Sequence, residues 1–348
     1  MGGHGNLKVT RAVRVLDDVD PCAIPFESLI AENRPTVLKG VAGDWPLTRA
    51  GIAGPRAATE YLARFYEGRP VTAYTGEPGA GPRFFYDDSA TRMNFTSERV
   101  PLGEFLERIV GSDEGDQTPA RYIGSTDCDL YLPGLRSEND LSLDHPVFEA
   151  VPPLVSIWIG GQTTAAAHFD MSNNIACCVA GRRRFTLFPP DQVENLYPGP
   201  LEPTPGGQVI SMVDFDAPDL DRYPRFAEAV AAGEVAELEP GDAIFFPALW
   251  WHQVEALDGF NILINYWWNA SPPFMDTPMN TLLHGLLSLR DRPEEEKRGW
   301  HALFNYYVFG DAGQAGAHLP EAARGPLAPL DAMNARRLRA QLLNRLNR

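Results

Sequence analysis

Two periodicities divide the chain. Between about residues 154 and 268, short apolar, β-branched and aromatic runs alternate with Gly, Pro and Asp turns: Val155–Ile159, Asn174–Ala180, Arg184–Phe188, Ala243–Phe246 and Asn261–Trp267. Runs of that length and punctuation predict the strands of a sandwich or barrel. Ahead of this stretch the pattern is mixed. Pro35–Gly40 predicts a short strand, while Tyr61, Leu62, Phe65 and Tyr66, within Ala57–Tyr66, fall at helical spacing. Leu102, Phe105, Leu106 and Ile109 repeat that spacing. Beyond residue 270 the chain reads as helical. Met279, Leu282, Leu283, Leu286 and Leu287 form one stripe, and Asp291-Arg-Pro293 before three glutamates predicts a helix start with Pro in its first turn. Trp300, Leu303, Phe304, Tyr307 and Val308 continue at helical spacing, and Leu338, Leu342 and Leu346 line one side of a last helix. The expected organisation is an α/β region (1–150) packing on a β core (151–270), followed by a helical region (271–348).

Composition narrows this picture. A chain of 348 residues, 44% hydrophobic, can bury a sizeable core, and 31 Gly with 31 Pro suit many short strands better than a helical bundle. The formal net charge of −16 repels phosphate backbones, so nucleic acid is not an expected partner. No apolar run approaches the ~20 residues that span a membrane, and Met1–Asp20 lacks the apolar stretch of a secretion signal, so no membrane partner is expected either. Cys22, Cys128, Cys177 and Cys178 form no C-x-x-C pair and suggest neither a disulfide framework nor a zinc site. A reducing cytoplasm is the expected location, with Cys177 and Cys178 in the core.

Candidate chemistry begins at His168-Phe-Asp170. Residues i and i+2 of a strand point to the same face, so both side chains can meet one metal ion. His252 follows a turn–strand–turn passage, Pro240-Gly-Asp242 through Pro247, and sits at the start of the next strand. A remote His of this kind completes a 2-His-1-carboxylate facial triad, the arrangement that leaves one face of an iron open in non-haem Fe(II) oxygenases. The competing reading is a barrel histidine hydrogen-bonded to backbone. Gly181-Arg-Arg-Arg184 is a basic turn in an acidic protein, and Arg183 shares a strand face with Phe185 and Leu187. An inward Arg among apolar neighbours needs an anion, which guanidinium grips bidentately if it is a carboxylate. An exposed basic turn is the alternative, and it is the expected reading for Arg182 and Arg184. Asn174 has the parity of His168 and Asp170 and can face the same cavity. Asn265 interrupts an apolar strand and must be hydrogen-bonded there.

Taken together, the chain resembles the cupin-like JmjC oxygenases, and among them the group containing the asparaginyl hydroxylase called factor inhibiting hypoxia-inducible factor. The resemblance rests on Trp158-Ile-Gly160, His168-Phe-Asp170, Asn174, Gly181 to Asp191, Leu196-Tyr-Pro198, Val213 to Asp216, Tyr223 to Phe226, Pro240-Gly-Asp242, Trp250-Trp-His252 and Asn265-Tyr-Trp267, in the family's order, with Trp45-Pro46 upstream. It implies a mainly β fold, a double-stranded β-helix of the cupin or jelly-roll type with flanking helices and a C-terminal helical extension. It implies Fe(II) at His168, Asp170 and His252, with 2-oxoglutarate as cosubstrate and O2 as oxidant. Arg183 falls where the family usually places a Lys against the distal carboxylate of 2-oxoglutarate, and Asn174, Asn265 and Tyr122 match positions lining that pocket. It further implies a homodimer through the C-terminal helices, whose leucine stripes need burial on the barrel or across a two-fold interface.

The departures matter as well. Ala165 stands where the family has a Thr that helps bind 2-oxoglutarate, and Thr164 is the expected substitute after a loop shift. The segment from Gly160 to His168 is one residue short. Val209-Ile210 replaces the polar residues with which the asparaginyl hydroxylase grips its target amide, so the same target does not follow. The primary substrate is expected to be a protein side chain or a small metabolite. Two other classes stay open: a metal cupin with non-oxygenase chemistry, and an inactive scaffold that only binds. Trp250, Trp251, Trp267 and Trp268 are either cavity walls or plain core.

Overall fold

The computed structural model describes residues 7–347 apart from 112–117 and 270. It divides into two compact units, Met1–Asn269 and Ala270–Arg348. The first unit opens with six strands, β1 (Arg14–Leu16), β2 (Thr36–Leu38), β3 (Val71–Gly76), β4 (Arg83–Phe84), β5 (Phe95–Val100) and β6 (Arg121–Asp127). Eight more build the barrel: β7 (Leu154–Gly160), β8 (Thr164–Phe169), β9 (Asn173–Ala180), β10 (Arg183–Phe188), β11 (Glu234–Leu238), β12 (Ala243–Phe246), β13 (Trp251–Ala256) and β14 (Asn261–Trp268).

The barrel strands alternate between two facing sheets. One runs β12-β9-β14-β7 and the other β11-β10-β13-β8, so the chain winds as a double-stranded β-helix, the cupin-type jelly roll expected from the sequence. The N-terminal strands extend this frame. β2 and β1 continue the larger sheet beyond β12, while β6, β3 and β5 continue it beyond β7, and β4 lies parallel to β8 at the edge of the smaller sheet.

Both faces of the larger sheet are buried, which explains why its strands read as near-continuous apolar runs rather than as alternations. Ile175, Cys177 and Val179 on β9, with Ile262, Ile264 and Tyr266 on β14, join one core with residues from the N-terminal helices. Helix Leu102–Val110 contributes Leu102, Phe105, Leu106 and Ile109 to it, and helix Pro55–Ala63 contributes Ala58, Tyr61 and Leu62. Each buried Leu, Ile or Phe among them contributes about 1.5–3 kcal/mol. Ala176, Cys178 and Leu263 face the other way and pack with Phe185, Leu187 and Phe246 inside the barrel. Both adjacent cysteines are therefore core residues, on opposite faces of one strand.

Two turns aim the functional strands. Asp242 accepts hydrogen bonds from the backbone N–H of Gly40 at 3.2 Å and of Glu239 at 3.0 Å, and pairs with Lys39. The Pro240-Gly-Asp242 passage thus staples β12 onto β2. Gly181 turns β9 into β10 at φ +67°, where an added Cβ would lie 2.3 Å from Asn261 Oδ1 and 2.5 Å from the Phe260 carbonyl. No other residue fits that turn without moving the strand pair, so the turn fixes where Arg183 begins β10.

In the second unit, helices Pro278–Ser288, Glu294–Phe304 and Ala332–Leu346 match the predicted stripes. Pro293 occupies the N-cap rather than the first turn, with Glu294, Glu295 and Glu296 following it. A π-helical turn, Asn305–Phe309, carries the second helix onward. Large apolar side chains stay exposed here, among them Leu287 at 79%, Phe309 at 75% and Met333 at 61%. Among the described residues, no helix is long and apolar enough to cross a membrane.

Candidate metal centre

His168 near the end of β8 and His252 near the start of β13 are directly opposite in the antiparallel register. Their rings lie 4.3 Å apart between centroids. Asp170 follows just past β8, and its Oδ2 is 3.7 Å from His252 Nε2. Its backbone carbonyl accepts a 2.7 Å bond from Leu249 N–H, which ties it to the turn before β13; Leu249 itself takes φ +68°, unusual for a branched side chain. One ligand atom from each of His168, Asp170 and His252 lies within 4.8 Å of the others, the one such His/Cys/Asp/Glu group among the described residues. The spacing suits one ion.

The imidazoles are oriented for that task. His168 Nδ1 is 2.8 Å from the Ala166 carbonyl, and His252 Nδ1 is 3.0 Å from the Trp250 carbonyl. A carbonyl only accepts, so each Nδ1 must carry the proton, and each Nε2 offers its lone pair to the shared site. Burial, and then the neighbouring His168, push His252 down to about 4, so it stays neutral and available as a ligand near pH 7. The alternative of a histidine satisfied only by backbone accounts for Nδ1 but leaves Nε2 beside a carboxylate.

The centre opens into a cavity of about 430 Å³ inside the barrel. Arg183, Asn174, Asn265 and Tyr122 line it together with His168, Asp170 and His252. Trp158 Nε1 donates to Asn265 Oδ1 at 2.6 Å, and Asn265 Nδ2 donates to Asn174 Oδ1 at 3.3 Å. Asn265 is thereby satisfied, as a buried amide must be. Tyr122 stacks on Trp158 at 5.8 Å, and burial pushes its phenol well above the usual tyrosine value.

Arg183 is the unusual member. It is 4% exposed, and its Nε and Nη2 have no hydrogen-bond partner among the described residues. Burial pulls its pKa down, against the opposing influence of Tyr122 and Cys178. Its neighbours in the turn are answered: Arg182 pairs with Asp258, and Arg184 with Glu237 and Glu255. A buried guanidinium left without a carboxylate costs several kcal/mol unless an anion from outside completes it.

Thr164 is a correction. It faces away from the centre, into a separate hollow with Arg83, Asp214, Asp216 and Gln253. Thr163 and Ala165 line the main cavity instead. The register explains this: His252 pairs with His168 and Val254 with Ala165, so β8 has an extra residue where β13 has none. That β-bulge reverses the parity of every residue before it. Thr163, rather than the Thr164 expected after a loop shift, therefore reaches the main cavity.

Of the tryptophans, Trp267 lines the cavity, whereas Trp251 and Trp268 are core residues at 2% exposure. The outer wall is aromatic and comes from strands the sequence did not announce: Tyr74 of β3, Phe84 of β4 and Phe95 of β5. Phe84 and Phe95 meet edge to face at 5.2 Å, and Phe84 lies 5.7 Å from Tyr122. The alternation of Thr72 and Tyr74 with Val71 and Ala73 was the available signal for β3.

The chain matches the cupin-like domain family over residues 23–274. It is 36% identical over 248 residues to HSPB1-associated protein 1 of Homo sapiens, covering 69% of this chain and 49% of that protein. It is 30% identical over 129 residues to lysine-specific demethylase JMJ31 of Arabidopsis thaliana, covering 35% of this chain and 23% of that protein. Over 204 residues it is 32% identical to tRNA wybutosine-synthesizing protein 5 of Danio rerio, covering 51% of this chain and 56% of that protein. The chain thus spans about half the length of these relatives, or less.

Proposed function

Because the chain belongs to the cupin-like domain family, with residues 23–274 matching it, we propose that it is an Fe(II)- and 2-oxoglutarate-dependent oxygenase that hydroxylates a C–H bond. The observation that carries this reading is Arg183: a buried, unanswered guanidinium in the same cavity as a 2-His-1-carboxylate set. A dicarboxylate that chelates a metal at one end and ends in a second carboxylate meets both needs. His168, Asp170 and His252 would hold the iron, and Arg183 the far carboxylate, with Asn174, Asn265, Thr163 and Tyr122 around the chain between. When bound, iron and 2-oxoglutarate supply O2 activation coupled to oxidative decarboxylation. The protein's share is to present two Nε2 lone pairs and one carboxylate, to fix the cosubstrate's direction, and to line the reacting space with rings that exclude water.

Succinate formation from 2-oxoglutarate with Fe(II) and ascorbate is the direct test. No turnover, together with no thermal shift from 2-oxoglutarate in the presence of Mn(II), would sink the reading in favour of a non-oxygenase cupin or a binding scaffold. The bulge adds a sharper expectation. Thr163→Val should raise KM for 2-oxoglutarate about fivefold, the worth of one hydrogen bond, while Thr164→Val stays within about twofold. The reverse ranking would show that the cosubstrate lies on the other side of β8.

The target of the asparaginyl hydroxylase whose group the motifs resemble does not carry over to this reading. Ile210 lines the cavity and Val209 is core, so the polar grip on an amide is replaced by apolar surface. The demethylase names of some relatives are compatible with the same chemistry, since removal of an N-methyl group starts with its hydroxylation. The exposed leucines of Pro278–Ser288 and Ala332–Leu346 support a homodimer. Light scattering should give twice the chain mass for the wild type and the single chain mass for Leu338→Asp/Leu342→Asp; an unchanged mass would move the interface elsewhere.

A further inference from the structure

Basic side chains around this acidic surface are commonly answered by carboxylates: Arg108 by Glu98 and Glu104, Arg136 by Asp129 and Asp140. Two arginines at the cavity rim have no such partner among the described residues. The guanidinium carbon of Arg69 lies 5.7 Å over the ring of Tyr131. Arg99 Nη1 donates to Thr72 Oγ1 at 3.1 Å and to the Tyr131 hydroxyl at 3.5 Å. Both arginines are exposed, and Tyr131 and Thr72 both line the cavity. The β3–β5 register pairs Thr72 with Arg99, Tyr74 with Ser97 and Gly76 with Phe95. Thr72, Tyr74 and Phe95 line the cavity, so parity puts Arg99 on the cavity side of β5. Its neighbour Glu98 has the opposite parity and is held by Arg108. Inside the cavity the charged side chains besides the histidines are Asp170 and Arg183, which the oxygenase reading already uses. Recognition of substrate charge therefore falls to the rim, where Arg69 and Arg99 supply positive charge.

We infer that Arg69 and Arg99 form an anion-reading rim, and that the primary substrate is an acidic peptide. A carboxylate of the peptide docks on the two guanidiniums while a neighbouring uncharged side chain enters the aromatic slot of Tyr74, Phe84 and Phe95. A peptide fits better than a nucleic acid: two guanidiniums on a chain of net charge −16 do not offset a polyphosphate, but they suffice for single carboxylates. Among the described residues β5 is also the outermost strand of its sheet, and the main-chain groups on its outer side can take an extended peptide alongside Phe95–Val100. This rests on the oxygenase reading only in taking the cavity as the place of reaction.

The test passes a randomised nonapeptide library over the immobilised full chain and sequences what is retained. Asp and Glu should be enriched about threefold or more over the input, the size expected of two exposed charge contacts, and the bias should fade at high salt. Arg69→Ala/Arg99→Ala should erase the bias, and Arg69→Glu/Arg99→Glu should invert it toward Lys and Arg. Neutral or basic retention by the wild type, no retention, or a bias that survives both variants would overturn the inference. Retention needs no turnover, so the two readings fail separately. A protein that makes no succinate yet selects acidic peptides loses the oxygenase reading and keeps the rim; one that makes succinate but retains peptides without bias loses the rim alone.

Discussion

Asp170→Ala is expected to lower 2-oxoglutarate turnover by at least about a hundredfold while leaving the metal-free protein folded. The reason is the division of labour among the three side chains. His168 and His252 are neutral donors whose Nδ1 atoms are fixed by backbone carbonyls, so Asp170 supplies the only negative charge in the set. Losing it removes one of three ligands and the local neutralisation of a dication at once. The fold does not depend on it, since the Asp170 main chain is held through its own carbonyl by Leu249 rather than through the carboxylate. Asp170→Glu keeps the charge but lengthens the arm, and should recover metal binding before it recovers turnover. Mn(II) binding followed by electron paramagnetic resonance, alongside succinate formation, separates the two steps. A variant that still binds Mn(II) like the wild type and turns over within about tenfold of it would remove Asp170 from the ligand set. His168→Ala should behave in the same way, with the loss again appearing first in metal binding.

Much of this site was legible because strand parity is a strong rule. His168, Asp170 and Asn174 share a face by counting, and Arg183, Phe185 and Leu187 share another; all but Leu187, packed in the barrel interior, line one cavity. Asn265 announced itself as a polar residue in an apolar run. The rule failed where a bulge breaks it. The short Gly160–His168 segment and Ala165 at the family's Thr position pointed to a loop shift with Thr164 as substitute, but the three alanines tolerate either face and do not show that a bulge on β8 brings Thr163 to the cavity instead. The aromatic wall was missed for a different reason. Tyr74, Phe84 and Phe95 sit on short strands far upstream, and only the sheet order, which sets β3 beside β6 and β4 beside β8, brings them to the cavity. Long-range pairing of that kind leaves little trace in local pattern. The helical region shows the opposite balance: its stripes were plain, but a stripe says only that burial is needed, not against what.

Arg183→Met is expected to do two things of opposite sign. Without cosubstrate, the variant should be more stable than the wild type by about 1–2 kcal/mol, or a few degrees in Tm. The wild type holds a guanidinium at 4% exposure with Nε and Nη2 unpaired among the described residues, and a flexible thioether that ends where Nε lies removes that penalty, its missing tip only enlarging the existing cavity. With cosubstrate the order should reverse. Saturating 2-oxoglutarate with Mn(II) should stabilise the wild type by about 2.7 kcal/mol at a hundredfold excess over Kd, by mass action alone, and should leave the variant unmoved. Arg183→Lys should fall between, since an ammonium on a shorter stem can meet the carboxylate as a point charge but not as a fork. This crossing is what distinguishes a ligand-binding cation from a packing residue. If Arg183→Met were instead less stable in the absence of ligand and still shifted with 2-oxoglutarate, the guanidinium would be satisfied by internal water, and the distal carboxylate would have to be held by another group in the cavity. A cation that costs stability when the site is empty and returns it when the site is filled is stored binding free energy, and in this barrel it opens β10 directly after the Gly181 turn.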